Sequence, residues 1–171
     1  MPQINRYWAL SLSWMVLIYS TLYIVRPICE FLKSNTPFGF IVSVSAASIL
    51  IFIAVSAIKK SKKVSSVVLL SLIIMTYVMM MCIIKHPEEK IHLAEYGILA
   101  YLLFMAIKQY HAAGKAYFLS FMLTSLFGWL DEVIQHFLPN RYYQNSDVLL
   151  NVFSAGLGIL VVHLFRQPDK Y

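Results

Sequence analysis

A chain of 171 residues that is 60% apolar and only 13% charged cannot hide its hydrophobic surface inside a soluble domain of that length. A formal charge of +6 would suit a nucleic-acid binder if the chain were soluble. Here the lysines and arginines fall between hydrophobic runs, so they read as topology signals and contacts with anionic lipid, and nucleic acid is not expected as a partner.

The first apolar run, residues 7–25, follows Arg6 and has no small-x-small cleavage site before Arg26-Pro27, so it reads as a retained helix rather than a signal peptide. Arg26-Pro27 and Asn35-Thr36-Pro37 bracket the expected first connection. A second span covers 38–58, and Lys59-Lys60-Ser61-Lys62-Lys63 makes the loop after it. The third, 64–84, contains MTYVMMMC with His86 beyond it. Those residue types suit a soft metal, but methionines on a membrane helix are more often packing, and no metal site or cofactor is expected. Cys29 and Cys82 form neither a ligand cluster nor a disulfide framework.

Pro87 with Glu88 and Glu89 is a good helix opening, because proline is tolerated at the first position and acids suit the positive dipole end. The fourth span follows at 91–108. Gly114 is expected to separate it from the fifth, 116–138, which Pro139-Asn140-Arg141 ends. Ser146-Asp147 is expected to cap the sixth, 147–165. Ser154-Ala155-Gly156-Leu157-Gly158 makes a small-residue stripe for close helix contact, so a leucine at Gly156 should disrupt packing. Tyr7, Trp8, Tyr142 and Tyr143 sit where interfacial aromatic anchors belong.

Six continuous, non-alternating runs of about 20 residues predict an all-α, polytopic transmembrane helix bundle of about six helices. The organisation expected is three N-terminal transmembrane helices over 1–86, a three-helix core over 87–166 and a short cytoplasmic tail over 167–171. With the N-terminus inside, Arg6, Lys59, Lys60, Lys62, Lys63, Lys108, Lys115, Arg166 and Lys170 fall on the inner side. Only Arg26, Lys33, Lys85, Lys90 and Arg141 fall outside, which places both termini in the cytoplasm. Of the acidic residues, Asp169 alone is then cytoplasmic. Glu30, Glu88, Glu89, Glu95, Asp131, Glu132 and Asp147 gather at or near the outer face.

Three helices carry polar faces at similar depth there. His92, Glu95 and Tyr96 share one face at i, i+3, i+4 spacing, as do Glu132, Gln135 and His136, with Asp131 beside Gln135 at i+4. Glu132 lies six residues before Leu138, about 9 Å inside the helix end. Ionisable groups at membrane depth are costly and usually face a protein interior or wet cavity, which favours a functional pocket. The competing reading is a satisfied polar network that only fixes packing, with Asp147 serving as a helix-start residue paired to Arg141. No nucleophile-elbow, P-loop, zincin or dinucleotide motif is present.

EKIHLAEYGILAYLLF and DEVIQHFLPNRYYQNSDVLLNVFSAGLG together resemble the VanZ-like family of small bacterial membrane proteins. The positions that carry this are His92, Glu95, Tyr96, Asp131, Glu132, Gln135, Phe137, Pro139, Arg141, Asp147, Asn151, Gly156 and Gly158, over about residues 88–160. Helices one and two fall outside that stretch, as additions to the core. The resemblance implies a multi-pass protein of the bacterial plasma membrane. It also implies a link to glycopeptide resistance, the founding member being associated with resistance to teicoplanin.

The function expected is an outward-facing pocket that binds or modulates a lipid headgroup or lipid-linked cell-envelope precursor. Membrane lipids are then the expected partners. The binding set is His92, Glu95, Tyr96, Asp131, Glu132, Gln135, Arg141, Asp147 and Asn151, with Arg141 pairing to phosphate or carboxylate and Gln135 and Asn151 hydrogen-bonding. The alternative is an intramembrane hydrolase or transferase using Asp131 and Glu132, near Glu95 and His92, as acid and base on a lipid-linked substrate.

The basic-residue count makes a testable map. In a background lacking Cys29 and Cys82, single cysteines at Ser34 and Asn140 should label from outside, and those at Ser61 and Gly114 should be protected in intact cells. Labelling of Ser61 from outside would overturn the orientation.

Overall fold

The computed structural model describes residues 6–61, 63–139 and 143–166. Among these residues the chain is all-helical: α1 Arg6–Asn35, α2 Phe38–Lys60, α3 Val64–Ile83, α4 Pro87–Ile107, α5 Ala113–His136 and α6 Asn145–Phe165. Each holds a segment long and apolar enough to cross a membrane. The chain is a multi-pass membrane protein. Lys62, Asn140, Arg141, Tyr142 and the expected tail, with Asp169 and Lys170, lie outside the described residues.

Three expected boundaries change. The first helix does not stop before Arg26-Pro27 but continues through Pro27 to Asn35. At about 1.5 Å per residue its 30 residues reach about 45 Å, longer than a hydrocarbon core of about 30 Å. A proline inside a helix removes one backbone bond and normally kinks or breaks it. Here the turn beyond it is anchored by buried Cys29. The far end is closed by Asn35 Nδ2 donating to the Phe31 carbonyl (2.8 Å) and Thr36 Oγ1 donating to that of Leu32 (2.6 Å).

Gly114 does not separate helices four and five, because α5 already begins at Ala113 and takes Gly114 into its first turn. Nor does Ser146-Asp147 cap α6. The N-cap position is Gln144, without a side-chain cap bond, which places Asp147 in the first turn of the helix. Pro87 does open α4, as expected.

The core is built around α4, which packs against α1, α5 and α6. Leu93, Tyr96, Leu99, Ala100, Leu103, Phe104, Ala106 and Ile107 are all buried, so its apolar surface is used on most sides. The helix α1 runs along it, with Trp14 Nε1 donating to the Glu95 carbonyl (3.0 Å) and Tyr19 donating to the Phe127 carbonyl of α5 (2.9 Å). Residues 87–166 therefore share their core with α1. By contrast α2 and α3 lie to one side, touching α4 and α6, and present exposed Phe40, Phe52 and Val64. Large apolar side chains turned outward are what lipid requires.

Small residues set the closest approaches. In α5, Ala116, Ser120, Thr124 and Gly128 recur every four residues and are buried. This is the spacing that lets membrane helices approach closely. A Cβ on Gly128 would stand 2.6 Å from Asn151 Cβ, and one on Gly158 would stand 2.6 Å from the Gly97 carbonyl oxygen. Gly156 differs from its neighbour in the stripe, since a Cβ there would meet only Phe121 at an ordinary 3.7 Å. The tight contact belongs to Gly158 rather than Gly156.

Gly158→Ala and Gly128→Ala should each destabilise the protein by about 1–3 kcal/mol, the usual cost of overpacking. Gly156→Ala should melt close to the parent in the same detergent. Equal melting temperatures for all three variants would contradict this account of the α4–α5–α6 contacts.

Candidate functional site

At the end of the bundle where α4 and α6 begin, the polar faces do meet. Tyr96 of α4 donates its hydroxyl to Asp131 Oδ2 of α5 at 2.7 Å, and both side chains are fully buried. His92, one turn earlier on α4, stands between two carboxylates: its Nδ1 is 3.2 Å from Glu95 Oε2 and 3.9 Å from Asp131 Oδ2. Its ring also stacks on Tyr96 with centroids 6.0 Å apart. The i, i+3, i+4 spacing read from the sequence thus gathers the three α4 side chains on one face, from which Tyr96 and His92 reach Asp131 of α5.

Glu132 points to the other side of the same patch. Gln135 Nε2 donates to its Oε1 at 3.1 Å, and the Gln144 backbone N–H approaches Oε2 at 3.4 Å from just before α6. This pairs Gln135 with Glu132, although the i+4 spacing also placed it beside Asp131. Two buried carboxylates in successive positions are costly unless hydrogen-bonded, and each finds at least one donor. Asp131 Oδ1 is buried with no hydrogen-bond partner among the described residues.

Asn151 has a different role. Its Nδ2 donates to the Gly128 carbonyl at 3.0 Å, so it ties α6 to α5 where Gly128 permits contact. Its Oδ1 is buried and unpartnered among the described residues. The structure uses Asn151 as an interhelical clamp behind the site.

A cavity of about 140 Å³ opens beside this network, between α1, the start of α4 and the start of α6. His92, Glu95 and Asp147 line it, together with His86, Glu89 and Gln144. The remaining wall is Ile91 of α4 and, from α1, Ile18, Thr21, Leu22 and Val25. Tyr96, Asp131, Glu132, Gln135 and Asn151 are buried and do not line it. Of the expected set, three residues therefore face the cavity, five stand behind it, and Arg141 lies outside the described residues. Asp147 is largely buried and accepts from Ser146 Oγ at 3.2 Å.

The α1 wall could not be found from spacing, because an apolar helix looks equally suited to lipid on every face. Gly128 did have a signal, the four-residue recurrence of small side chains along α5. His86 and Glu89 flank the Pro87 opening and so lay close to the polar face in sequence.

Among the described residues no group of three or more histidine, cysteine or acidic side chains is placed to hold a metal ion. The methionines of α3 are dispersed: Met75 and Met79 are exposed, while Met80 and Met81 pack against the Ile84, Leu93 and Leu150 cluster.

A family model described as VanZ/LLP1 matches residues 4–166. The chain belongs to the VanZ/LLP1 family. No curated protein and no solved structure matches it. The match takes in α1 to α3 as well as the polar segments that carry the resemblance. In this VanZ/LLP1 chain the first helix closes the polar cavity, so it is part of the site as well as part of the matched region.

The Tyr96–Asp131 contact can be measured by a double-mutant cycle. Tyr96→Phe strands a buried carboxylate oxygen and should destabilise by about 1–3 kcal/mol. Combined with Asp131→Asn, the two losses should be non-additive by about 0.5–3 kcal/mol. Additive losses would mean that the hydrogen bond contributes nothing.

Proposed function

We propose that this VanZ/LLP1 protein binds the polar headgroup of a lipid, or of a lipid-linked cell-envelope precursor, at the outer face of the bacterial plasma membrane. The observation that carries this reading is the cavity bounded by His86, His92, Glu89, Glu95 and Asp147, backed by buried Asp131 and Glu132. A fold lock alone needs no such opening. At about 30 Å³ per water, 140 Å³ holds on the order of four or five waters. The cavity therefore takes one small polar group, with the rest of the molecule in the membrane or outside it.

Three carboxylates and two histidines on the described wall suit a hydrogen-bond donor or a cationic group such as the amine of a headgroup. Arg141, the cation of the segment between α5 and α6, is assigned to a phosphate or carboxylate of the same ligand. Family membership supports a link to glycopeptide tolerance, teicoplanin included: a protein that holds a surface lipid or precursor alters what the drug meets there.

One observation favours a second reading, that of a hydrolase or transferase. His92 lies between Glu95 and Asp131, and Asp131 is paired to Tyr96, an arrangement that could move a proton to or from a lipid-linked substrate.

Lipid co-purified with the detergent-solubilised protein and identified by mass spectrometry tests both readings. Asp147→Asn, which keeps size but removes a wall charge, should lower the co-purified amine-bearing lipid by about tenfold, the equivalent of one charge-assisted contact. Unchanged lipid content in Asp147→Asn would argue against the pocket. Glu132→Gln separates the mechanisms: an enzyme would keep the lipid and lose turnover, whereas a binding protein has no turnover to lose.

A further inference from the structure

A second recess lies on the opposite side of α4 from the polar cavity. Between α2 and the α4–α6 pair runs an apolar groove of about 830 Å³, within the range of sites that enclose most of a small ligand. An adjoining recess of about 250 Å³ shares Ile49, Ile53, Tyr77, Leu93 and Ala94 with it and reaches Lys90. Gly97 and Gly158 line the groove where α4 and α6 touch through backbone, and the Tyr77 hydroxyl of α3 lies 3.6 Å from where a Cβ on Gly97 would stand.

Its two ends differ in charge from the polar cavity. Lys108 and Arg166 line the mouth at the α4 and α6 C-termini. Lys60 joins them there, because its Nζ donates to the Phe165 carbonyl and lies 5.9 Å from the Phe165 ring centroid, and Phe165 lines the groove. Among the described residues no carboxylate lines the groove. From Lys90 to Lys108 along α4 is about 27 Å, close to the thickness of a hydrocarbon core. The groove thus offers an apolar path along the lipid tails that ends in clustered positive charge at headgroup level.

We propose that this groove holds an acyl chain of an anionic phospholipid, with the lipid phosphate met by Lys60, Lys108 and Arg166. The ligand class follows from the pairing of an apolar slot with a basic mouth. An uncharged or zwitterionic lipid would use the slot but gain less from the three cations. The site is separate from the polar cavity and does not depend on what that cavity binds.

The test is native mass spectrometry on the full-length protein in detergent, with equimolar phosphatidylglycerol and phosphatidylcholine of identical acyl chains. The parent should retain one phosphatidylglycerol in preference to phosphatidylcholine by about tenfold or more. Lys60→Gln with Lys108→Gln should bring the ratio near parity, and Ile98→Trp, which projects into the groove, should abolish retention of both. If Ile98→Trp fails to fold, Ala94→Phe fills the same groove from its other end and carries the same expectation. Lys115→Gln, which removes an exposed charge from the first turn of α5 outside the groove, should leave the ratio unchanged. Equal retention of the two lipids by the parent would overturn the proposal. So would phosphatidylglycerol retention surviving in a folded groove-filling variant, or being lost in Lys115→Gln.

Discussion

Buried carboxylates in a membrane protein constrain everything around them. Asp131 and Glu132 are fully buried on a helix that is otherwise apolar enough to cross a bilayer. An ionisable group in that setting must be hydrogen-bonded, paired or brought to water, or it is excluded from the structure. The fold answers with donors from three directions: Tyr96 from α4, Gln135 from α5 itself, and the Gln144 backbone from the start of α6. The bonds from Tyr96 and Gln144 require α4 and the start of α6 to come very near α5 at the same depth. The polar cluster therefore dictates which helices become neighbours.

Close approach in turn explains where the small residues lie. Gly128 allows Asn151 to reach the α5 backbone, and Gly158 allows α6 to rest directly on α4 at Gly97. These contacts hold α4, α5 and α6 in the register that the hydrogen bonds need. Gly97 and Gly158 also line the apolar groove, which lies on the opposite side of α4 from the polar cavity.

The helix α1 completes the arrangement. It supplies two long-range hydrogen bonds from Trp14 and Tyr19 to backbone carbonyls of α4 and α5. Its Ile18, Thr21, Leu22 and Val25 then close one side of the cavity whose other side is acidic and histidine-bearing. A cavity with one apolar wall and one polar wall restricts the orientation of an amphipathic guest. The α2–α3 pair contributes little to this site and faces outward with large apolar side chains, as a lipid-contacting flank does.

The sequence by itself determined the class, the helices and the composition of the polar patch. Hydrophobic length is a local property, so six spans could be read directly, and i, i+3, i+4 spacing fixed which polar residues share a helical face. Local rules failed where tertiary contacts outweighed them. Pro27 reads as a terminator, yet the helix continues to Asn35, with buried Cys29 and side-chain bonds to the Phe31 and Leu32 carbonyls beyond the proline. Gly156 and Gly158 look equivalent in sequence, and only the position of Gly97 on another helix distinguishes them. Likewise Asn151 and Asp147 are both polar residues near the start of α6. Facing Gly128 makes the first a clamp, and facing α1 and α4 makes the second a cavity wall. The apolar face of α1 carried no mark of its partner, because hydrophobic attraction is non-directional. Which helix it covers, and hence where a cavity closes, was decided only when the whole chain packed.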